Sequence, residues 1–180
     1  SNLTFTDNEI FVANQIIYAD QADGSTVSGN TFGTSYGGNA IEMSYCDNCS
    51  FDNNTITGRP NTCIYAYNAT NTTFSNNNLD VGNYGISFTN ATNAVITGNN
   101  ITSDDNYDDS RYGIFNSSSQ SNAVISNNTI YFPESDHNNY GIYAHDALIE
   151  NNSITIESGY CDTRGIYGSG YIINNTVNIY

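Results

Sequence analysis

A six-residue unit recurs along the whole chain, and its copies constrain the fold more than any other feature. The clearest copy is Ile125-Ser126-Asn127-Asn128-Thr129-Ile130. Successive copies lie roughly 22–24 residues apart except where extra residues are inserted, a spacing typical of repeat architectures. The residue two before the closing apolar position is asparagine in every copy: Asn8, Asn30, Asn54, Asn77, Asn99, Asn128, Asn152 and Asn175.

Two further runs complete each period. One is exemplified by Tyr84-Gly85-Ile86 and the other by Ala94-Val95-Ile96. The runs are short, rich in β-branched and aromatic residues, and separated by Asn, Gly, Asp and Ser, without helical periodicity. This pattern predicts an all-β fold, a single parallel β-helix domain over residues 1–180 with about seven to eight coils, three short strands per coil and no capping helix. Parallel crossovers predict a right-handed helix.

Stacked coils place equivalent residues above one another at about 4.8 Å. We expect one inward column of isoleucines, and a ladder of the eight asparagines in which side-chain amides hydrogen-bond from coil to coil. The residue after each inward isoleucine should point outward. That outward column is rich in aromatic residues and comprises Tyr18, Glu42, Tyr65, Ser87, Phe115, Tyr143 and Tyr167. It predicts either internal stacking or a contact surface for sugar rings or a neighbouring subunit.

Two repeated sequence motifs resemble the parallel β-helix repeats of the pectin-lyase-like superfamily: Tyr-Gly-Ile and Ala-Val-Ile-x-Asn-Asn-Thr-Ile. The acidic composition and the repeat motifs of the chain are most similar to those of archaeal surface-layer, adhesin-like and sheath proteins. This resemblance covers nearly the whole chain and implies the β-helix fold. It implies little about function, since lyases, glycosidases, adhesins and structural walls all use such repeats.

Three turns are longer than the others, at residues 102–112, 131–140 and 155–164. Because they follow equivalent strands of consecutive coils, they should cluster along one edge. Carboxylates there make a calcium site one hypothesis, with Asp104, Asp105, Asp108 and Asp109 as candidate ligands. The resemblance to calcium-dependent lyases adds Arg111 or Arg164 as a candidate base, and paired carboxylates would suit a glycosidase. The alternative is a set of solvated acidic loops, with no cofactor and no catalytic residue.

The four cysteines are Cys46, Cys49, Cys63 and Cys161. Cys46 and Cys49 lie in one turn and are predicted to form a local disulfide. Four coils separate Cys63 from Cys161, about 19 Å at the strand spacing, which is too far for a bond within one chain. These two are therefore either free thiols or partners in an intermolecular disulfide.

The net charge is −15, which disfavours nucleic acid and anionic lipid as partners. No apolar run is long enough to cross a bilayer, so we expect no membrane insertion. Frequent N-glycosylation sequons suggest an extracellular or cell-surface protein carrying N-linked glycans. The candidate asparagines are Asn2, Asn48, Asn53, Asn68, Asn71, Asn90, Asn100, Asn116, Asn127, Asn151 and Asn174.

Both ends of the sequence read as ordinary repeat strands, and open strand edges favour pairing with other chains. We therefore expect an extracellular structural subunit, not an enzyme, that self-assembles into a sheath, surface layer or filament by strand-edge pairing and intermolecular disulfides. Two alternatives remain open at this stage: a glycan-binding adhesin module, and a calcium-dependent polysaccharide lyase or a glycosidase.

Overall fold

The computed structural model describes residues 2–11, 14–34, 37–104, 110–118, 121–157 and 161–180, and within these ranges every helix-or-strand element is a β-strand. The strands form a right-handed parallel β-helix of about seven turns with three strands per coil. The predicted fold class is thereby confirmed. The described residues contain no helix that is long and apolar enough to cross a membrane.

Three faces run along the β-helix, one for each strand of a coil. Face A contains β1 Thr4–Thr6, β4 Thr26–Ser28, β7 Ser50–Asp52, β10 Thr73–Ser75, β13 Val95–Thr97 and β16 Ala123–Ser126. Face B contains β2 Glu9–Phe11, β5 Thr31–Gly33, β8 Thr55–Thr57, β11 Asn78–Asp80, β14 Asn100–Thr102, β17 Thr129–Phe132, β19 Ser153–Ile156 and β21 Thr176–Ile179. Face C contains β3 Ile17–Asp20, β6 Asn39–Ser44, β9 Thr62–Tyr67, β12 Tyr84–Thr89 and β15 Arg111–Asn116.

Two long strands, β18 Asn139–Glu150 and β20 Thr163–Ile173, continue from face C into face A. The first part of β18 pairs with β15, and its last part pairs with β16. A register irregularity between Ala144 and Ala147 marks the bend where β18 and β20 turn the corner together. All strand pairs are parallel, so each coil is joined to the next by main-chain hydrogen bonds along all three faces.

The core is built from columns of identical or similar side chains. The inward isoleucines of face C are in register through the whole stack, at Ile17, Ile41, Ile64, Ile86, Ile114, Ile142 and Ile166. Phe51 and Phe74 stack in the interior with ring centroids 5.1 Å apart. No coil could bury these side chains alone, because each one covers the column of its neighbours.

The glycine of the Tyr-Gly-Ile run is required by close packing at the corner before face C. A Cβ on Gly113 would lie 2.6 Å from the carbonyl oxygen of Gly141 and 2.9 Å from Cδ1 of Ile130. Gly85 and Gly141 are equally confined, each with a carbonyl oxygen of the next glycine 2.5 Å from the Cβ position. Any side chain at this corner would therefore push adjacent coils apart.

Candidate functional site

The asparagine ladder is the most regular polar structure in the interior. Each ladder asparagine from Asn8 to Asn152 donates its backbone N–H and its Nδ2–H to Oδ1 of the equivalent asparagine in the next coil, as Asn77 does to Asn99 at 3.0 and 2.9 Å. The contacts run unbroken from Asn8 to Asn175. The second amide hydrogen donates to a backbone carbonyl of the preceding coil, for example from Asn99 to Phe74. The ladder thus provides hydrogen-bond partners for the buried polar groups of the turn between faces A and B.

The residue before each ladder asparagine explains why the turn can form. It has a positive φ in every coil, at Asp7, Gly29, Asn53, Asn76, Gly98, Asn127, Asn151 and Asn174. Aspartate, asparagine and glycine tolerate this left-handed conformation better than other residues. The repeated Asn-Asn pair therefore has two roles: its first member turns the chain and its second bonds the coils together.

Six rings form an aromatic cluster on the outer side of face C: Tyr84, Tyr112, Tyr140, Phe115, Tyr143 and Tyr167. Tyr112 stacks on Tyr84 at 5.0 Å and on Tyr140 at 4.9 Å, with interplanar angles of 10° and 3°. The rings of Phe115 and Tyr143 meet Tyr112 edge to face. Both faces of the Tyr112 ring are therefore occupied by protein, and the pKa of its hydroxyl is raised mainly by burial.

The sequence located only one of the two columns in this cluster. Phe115, Tyr143 and Tyr167 occupy the predicted outward position after the inward isoleucine. Tyr84, Tyr112 and Tyr140 also point outward, because the glycine between each tyrosine and its isoleucine lies at the corner. Their recurrence two residues before the isoleucine is the sequence pattern from which this second column could have been predicted. The outward column is not exposed throughout: Ser87 is buried, since it lies between its larger partners Tyr65 and Phe115.

A charged pair closes the C-terminal end of the aromatic cluster. Arg164 contacts Asp162, with its Nη2 2.9 Å from Oδ2, and its guanidinium lies 4.5 Å from the ring centre of Tyr167. The Tyr140 hydroxyl donates to Asp162 at 3.0 Å. Hydrogen bonds from Arg164 and Tyr140 lower the pKa of the Asp162 carboxyl, and the bond to Asp162 raises the pKa of Arg164. Arg164 consequently loses its proton less readily than an isolated arginine, so less of the neutral form is available to act as a general base.

The described ends of the three inserted segments lie on adjacent coils. Their last residues join adjacent coils through bonds from the N–H of Arg111 to the carbonyl of Asn138 and from the N–H of Asn139 to the carbonyl of Asp162. Arg111 is completely buried and donates to the carbonyl of Pro133 at 3.3 Å. The guanidinium is enclosed by protein, and this burial disfavours Arg111 as a candidate base.

The candidate calcium ligands are only partly within the described residues. Asp104 forms an ion pair with Arg59, 2.7 Å from its Nη1, so a cation from the protein already occupies one carboxylate oxygen. Asp105, Asp108 and Asp109 lie outside the described residues. Elsewhere among the described positions, no group of three or more His, Cys, Asp or Glu side chains converges in a way that could hold a metal ion.

Comparison with known proteins decides the family. The family described as right handed beta helix region matches residues 1–154. The chain belongs to the right-handed β-helix family. No curated protein matches it.

Two solved structures resemble this β-helix protein weakly. The crystal structure of an alginate lyase from Paenibacillus sp. str. FPU-7 is 11% identical, with a TM-score of 0.39 over 92% of this chain and 99% of that chain. The crystal structure of the Agl-KA catalytic domain is 12% identical, with a TM-score of 0.25 over 98% of this chain and 52% of that one. Neither likeness bears on what this β-helix protein does.

The cysteines of the β-helix protein fall into two groups. Cys46 and Cys49 form a disulfide within the turn between β6 and β7, and both are buried. Cys63 and Cys161 are free thiols. Of the two alternatives, the free thiol fits Cys63, because its side chain is 0% exposed and its Sγ contacts the carbonyl of Asp80 at 3.4 Å. Burial also raises the pKa of the Cys63 thiol. Cys161 is exposed.

The sequons of the β-helix protein are on the surface with one exception. Asn116 is buried and points into the interior, and its Nδ2 has no hydrogen-bond partner among the described residues. Its prediction as a glycosylation site is therefore wrong, since a transferase could not reach it. Asn68 is half-buried. The remaining candidates are exposed, at Asn2, Asn48, Asn53, Asn71, Asn90, Asn100, Asn127, Asn151 and Asn174.

The first and last coils of the β-helix protein carry complementary halves of the contacts that join the coils between them. Asn8 donates to Asn30, but its Oδ1 accepts from no described residue. Asn175 accepts from Asn152, and its backbone N–H meets no acceptor in the described part of the chain. The apolar column ends similarly: Val177 is 41% exposed, whereas its partner Ile154 is 0% exposed.

Proposed function

We propose that this chain is a structural subunit of an extracellular assembly, a sheath, surface layer or filament, in which copies stack head to tail. The observation that carries the proposal is the direction of the asparagine ladder. Every step has the same direction, so each coil offers an Oδ1 acceptor towards its N-terminal neighbour and N–H donors towards its C-terminal neighbour. Coils of two copies that stack head to tail would therefore meet through the same contacts that Asn152 makes to Asn175.

The apolar columns support the same arrangement, because each coil buries the inward side chains of its neighbour. Ile149, Ile154 and Ile156 are 0% exposed and pair with Ile172, Val177 and Ile179 of the following coil. Coils of two copies that stack would cover inward side chains in the same way and would pair strand edges. The contact joins two different faces of the molecule, so it does not close on itself and generates rods.

The extracellular location rests on separate features. The Cys46–Cys49 disulfide is characteristic of oxidising compartments. Nine of the eleven sequon asparagines are exposed, so glycans would project from the rod without disturbing its interior. The resemblance of the repeats to those of archaeal surface-layer and sheath proteins is consistent with an extracellular location.

A lyase activity is less well supported. Arg111 is buried and the pKa of Arg164 is raised by Asp162, so neither arginine offers an accessible, weakly protonated base. The glycan-binding alternative is favoured by a separate feature, a groove on the outer side of face A.

Assembly of the purified chain tests the proposal. We expect sedimentation coefficients that rise with concentration, and rods of one uniform width in negative-stain micrographs, with or without reductant. Ile179→Asp places a charge in the proposed contact, whereas Thr176→Asp places the same charge on an exposed outward position of the same strand. Ile179→Asp should sediment as a monomer, and Thr176→Asp should assemble like the parent chain.

Circular dichroism spectra of both variants must match the parent spectrum, which excludes loss of the last coil as the cause. A parent chain that remains monomeric at its highest soluble concentration contradicts head-to-tail stacking. Equal assembly by both variants contradicts it as well, since it would show that the contacts are lateral.

A further inference from the structure

A groove of about 490 Å³ lies on the outer side of face A, near its C-terminal end. Its floor consists of Val124 and Leu148, which are directly paired on β16 and β18, and Tyr171 continues the same column on β20. One edge is formed by Asn122 and Asp146. The groove is on a different face from the aromatic cluster and the inserted segments.

The two sides of the groove differ in chemistry because strand and turn positions differ. Val124 and Leu148 occupy outward strand positions and are half-buried, so the floor is apolar. Asn122 and Asp146 have φ values of 45° and 49°, the left-handed conformation of a tight turn, and both are exposed. The edge therefore presents an amide and a carboxylate on adjacent coils, about 4.8 Å apart at the strand spacing.

Tyr171 differs from the tyrosines of the aromatic cluster. It is 75% exposed, and its ring contacts no other aromatic ring among the described residues. Its ring is thus available to a ligand, whereas the ring of Tyr112 is covered on both faces. Next to Tyr171 on the strand, Gly170 lies against the backbone of Ala147, where a Cβ would be only 2.7 Å from the Ala147 nitrogen.

We propose that this groove binds a neutral sugar residue of a glycan chain. A sugar ring has an apolar C–H face, which suits the floor and the exposed Tyr171 ring. Its hydroxyl groups suit the edge, because an ionised Asp146 accepts hydrogen bonds and the Asn122 amide both donates and accepts them. A uronic acid would place its carboxylate next to that of Asp146, in a chain whose net charge is −15. Electrostatic repulsion should therefore disfavour uronic acids and leave neutral sugars as the preferred ligands.

The volume is consistent with this ligand class. Small-molecule sites typically enclose about 300–1,000 Å³ and combine an apolar lining with a few polar groups. The groove has both properties. The groove residues point outward from the sheet, although Tyr171 lies on β20 next to Ile172, which points towards the interior.

Titration with oligosaccharides of equal length tests the proposal. The probes are cellotetraose, maltotetraose and mannotetraose as neutral chains, and a tetramer of mannuronic acid as the charged chain. Binding is followed by saturation-transfer NMR and by amide chemical shifts of the labelled protein. We expect at least one neutral tetrasaccharide to bind, with shift changes centred on Val124, Leu148 and Tyr171, and no detectable binding of the uronate.

Substitutions identify the site. Tyr171→Ala should weaken the affinity for the neutral tetrasaccharide by about tenfold or more. Tyr18→Ala, which removes another exposed tyrosine, on face C, should leave this affinity unchanged. Asp146→Asn should lower the affinity for the neutral tetrasaccharide and reduce the difference in affinity between the neutral tetrasaccharide and the uronate. The proposal is overturned if no neutral tetrasaccharide binds, if the uronate binds as tightly, or if Tyr171→Ala and Tyr18→Ala behave alike.

Discussion

Removing one step of the asparagine ladder should destabilise the whole domain. Asn99 lies in the middle of the ladder and is 1% exposed. Its Nδ2 donates to Oδ1 of Asn128 at 2.9 Å and to the carbonyl of Phe74 at 3.0 Å. Its Oδ1 accepts the N–H and the Nδ2–H of Asn77 at 3.0 and 2.9 Å. Asn99→Ala removes all four contacts at once.

The expected cost follows from the groups left behind. The substitution deprives the buried N–H of Asn77 of its acceptor and takes a donor from the carbonyl of Phe74. Each buried polar group that loses its partner costs about 1–3 kcal/mol. The sum is roughly 2–5 kcal/mol for Asn99→Ala, before any cavity term.

Equilibrium unfolding in urea, followed by far-UV circular dichroism, measures this cost. Asn100→Ala is the matched control, since Asn100 is the exposed neighbour whose amide bonds, among the described residues, only to the side chain of Asn78. The control should change the free energy of unfolding by about 0.5 kcal/mol or less. If Asn99→Ala costs no more than the control at equal denaturant dependence, the ladder is not a stabilising element.

Three further predictions concern packing, pH and thiol reactivity. Gly113→Ala should lower the free energy of unfolding by about 1–3 kcal/mol or more in the same assay, because a Cβ there meets the carbonyl oxygen of Gly141 at 2.6 Å; unchanged stability would contradict the close-packed corner. Burial raises the pKa of the Asp80 carboxyl, so the folded state favours the protonated form. The stability that protonated Asp80 contributes is therefore complete below the unfolded-state pKa and is lost as pH rises through the folded-state pKa. Asp80→Asn should remove this part of the pH dependence when the free energy of unfolding in urea is compared at several pH values. In native protein Cys161 should react with a thiol reagent at once, and Cys63 only at the rate of unfolding, so two fast-reacting thiols would contradict the burial of Cys63.

The fold could be predicted from the sequence because its determinants repeat. A single Asn-Asn-Thr-Ile unit has little meaning by itself, but its recurrence fixes which residues must stack, and stacking fixes the faces. The inward column from Ile17 to Ile166 and the ladder from Asn8 to Asn175 both follow from one alignment of the chain with itself. Periodicity therefore carried information that local propensity could not supply.

The candidate sites were harder to predict because they depend on departures from the repeat. Asn116 has the surface pattern of a sequon, but it follows Ile114 by two residues and so points inward. Arg111 lies in an inserted segment that sequence alone placed at the surface, although its guanidinium is buried. The groove beside Tyr171 depends on Gly170 and the corner irregularity near Ala144, neither of which the repeat alignment reveals.

Tyr112 and Tyr171 separate the two roles that an outward tyrosine can have. The ring of Tyr112 is sandwiched between Tyr84 and Tyr140, and two stacked pairs contribute about 1–3 kcal/mol beyond burial. Tyr112→Ala should therefore lower the free energy of unfolding by at least that amount and leave the affinity for a neutral tetrasaccharide unchanged. Tyr112→Phe, which keeps the ring, should retain most of the stability.

Tyr171→Ala should have the opposite profile, since its ring is exposed and has no stacked neighbour in the described part of the chain. It should change stability by about 0.5 kcal/mol or less while weakening sugar binding. Urea titration and oligosaccharide titration of both variants give four values. Loss of binding in Tyr112→Ala without loss of stability would mean that the aromatic cluster is the contact surface, and that stacking within it does not hold the coils together.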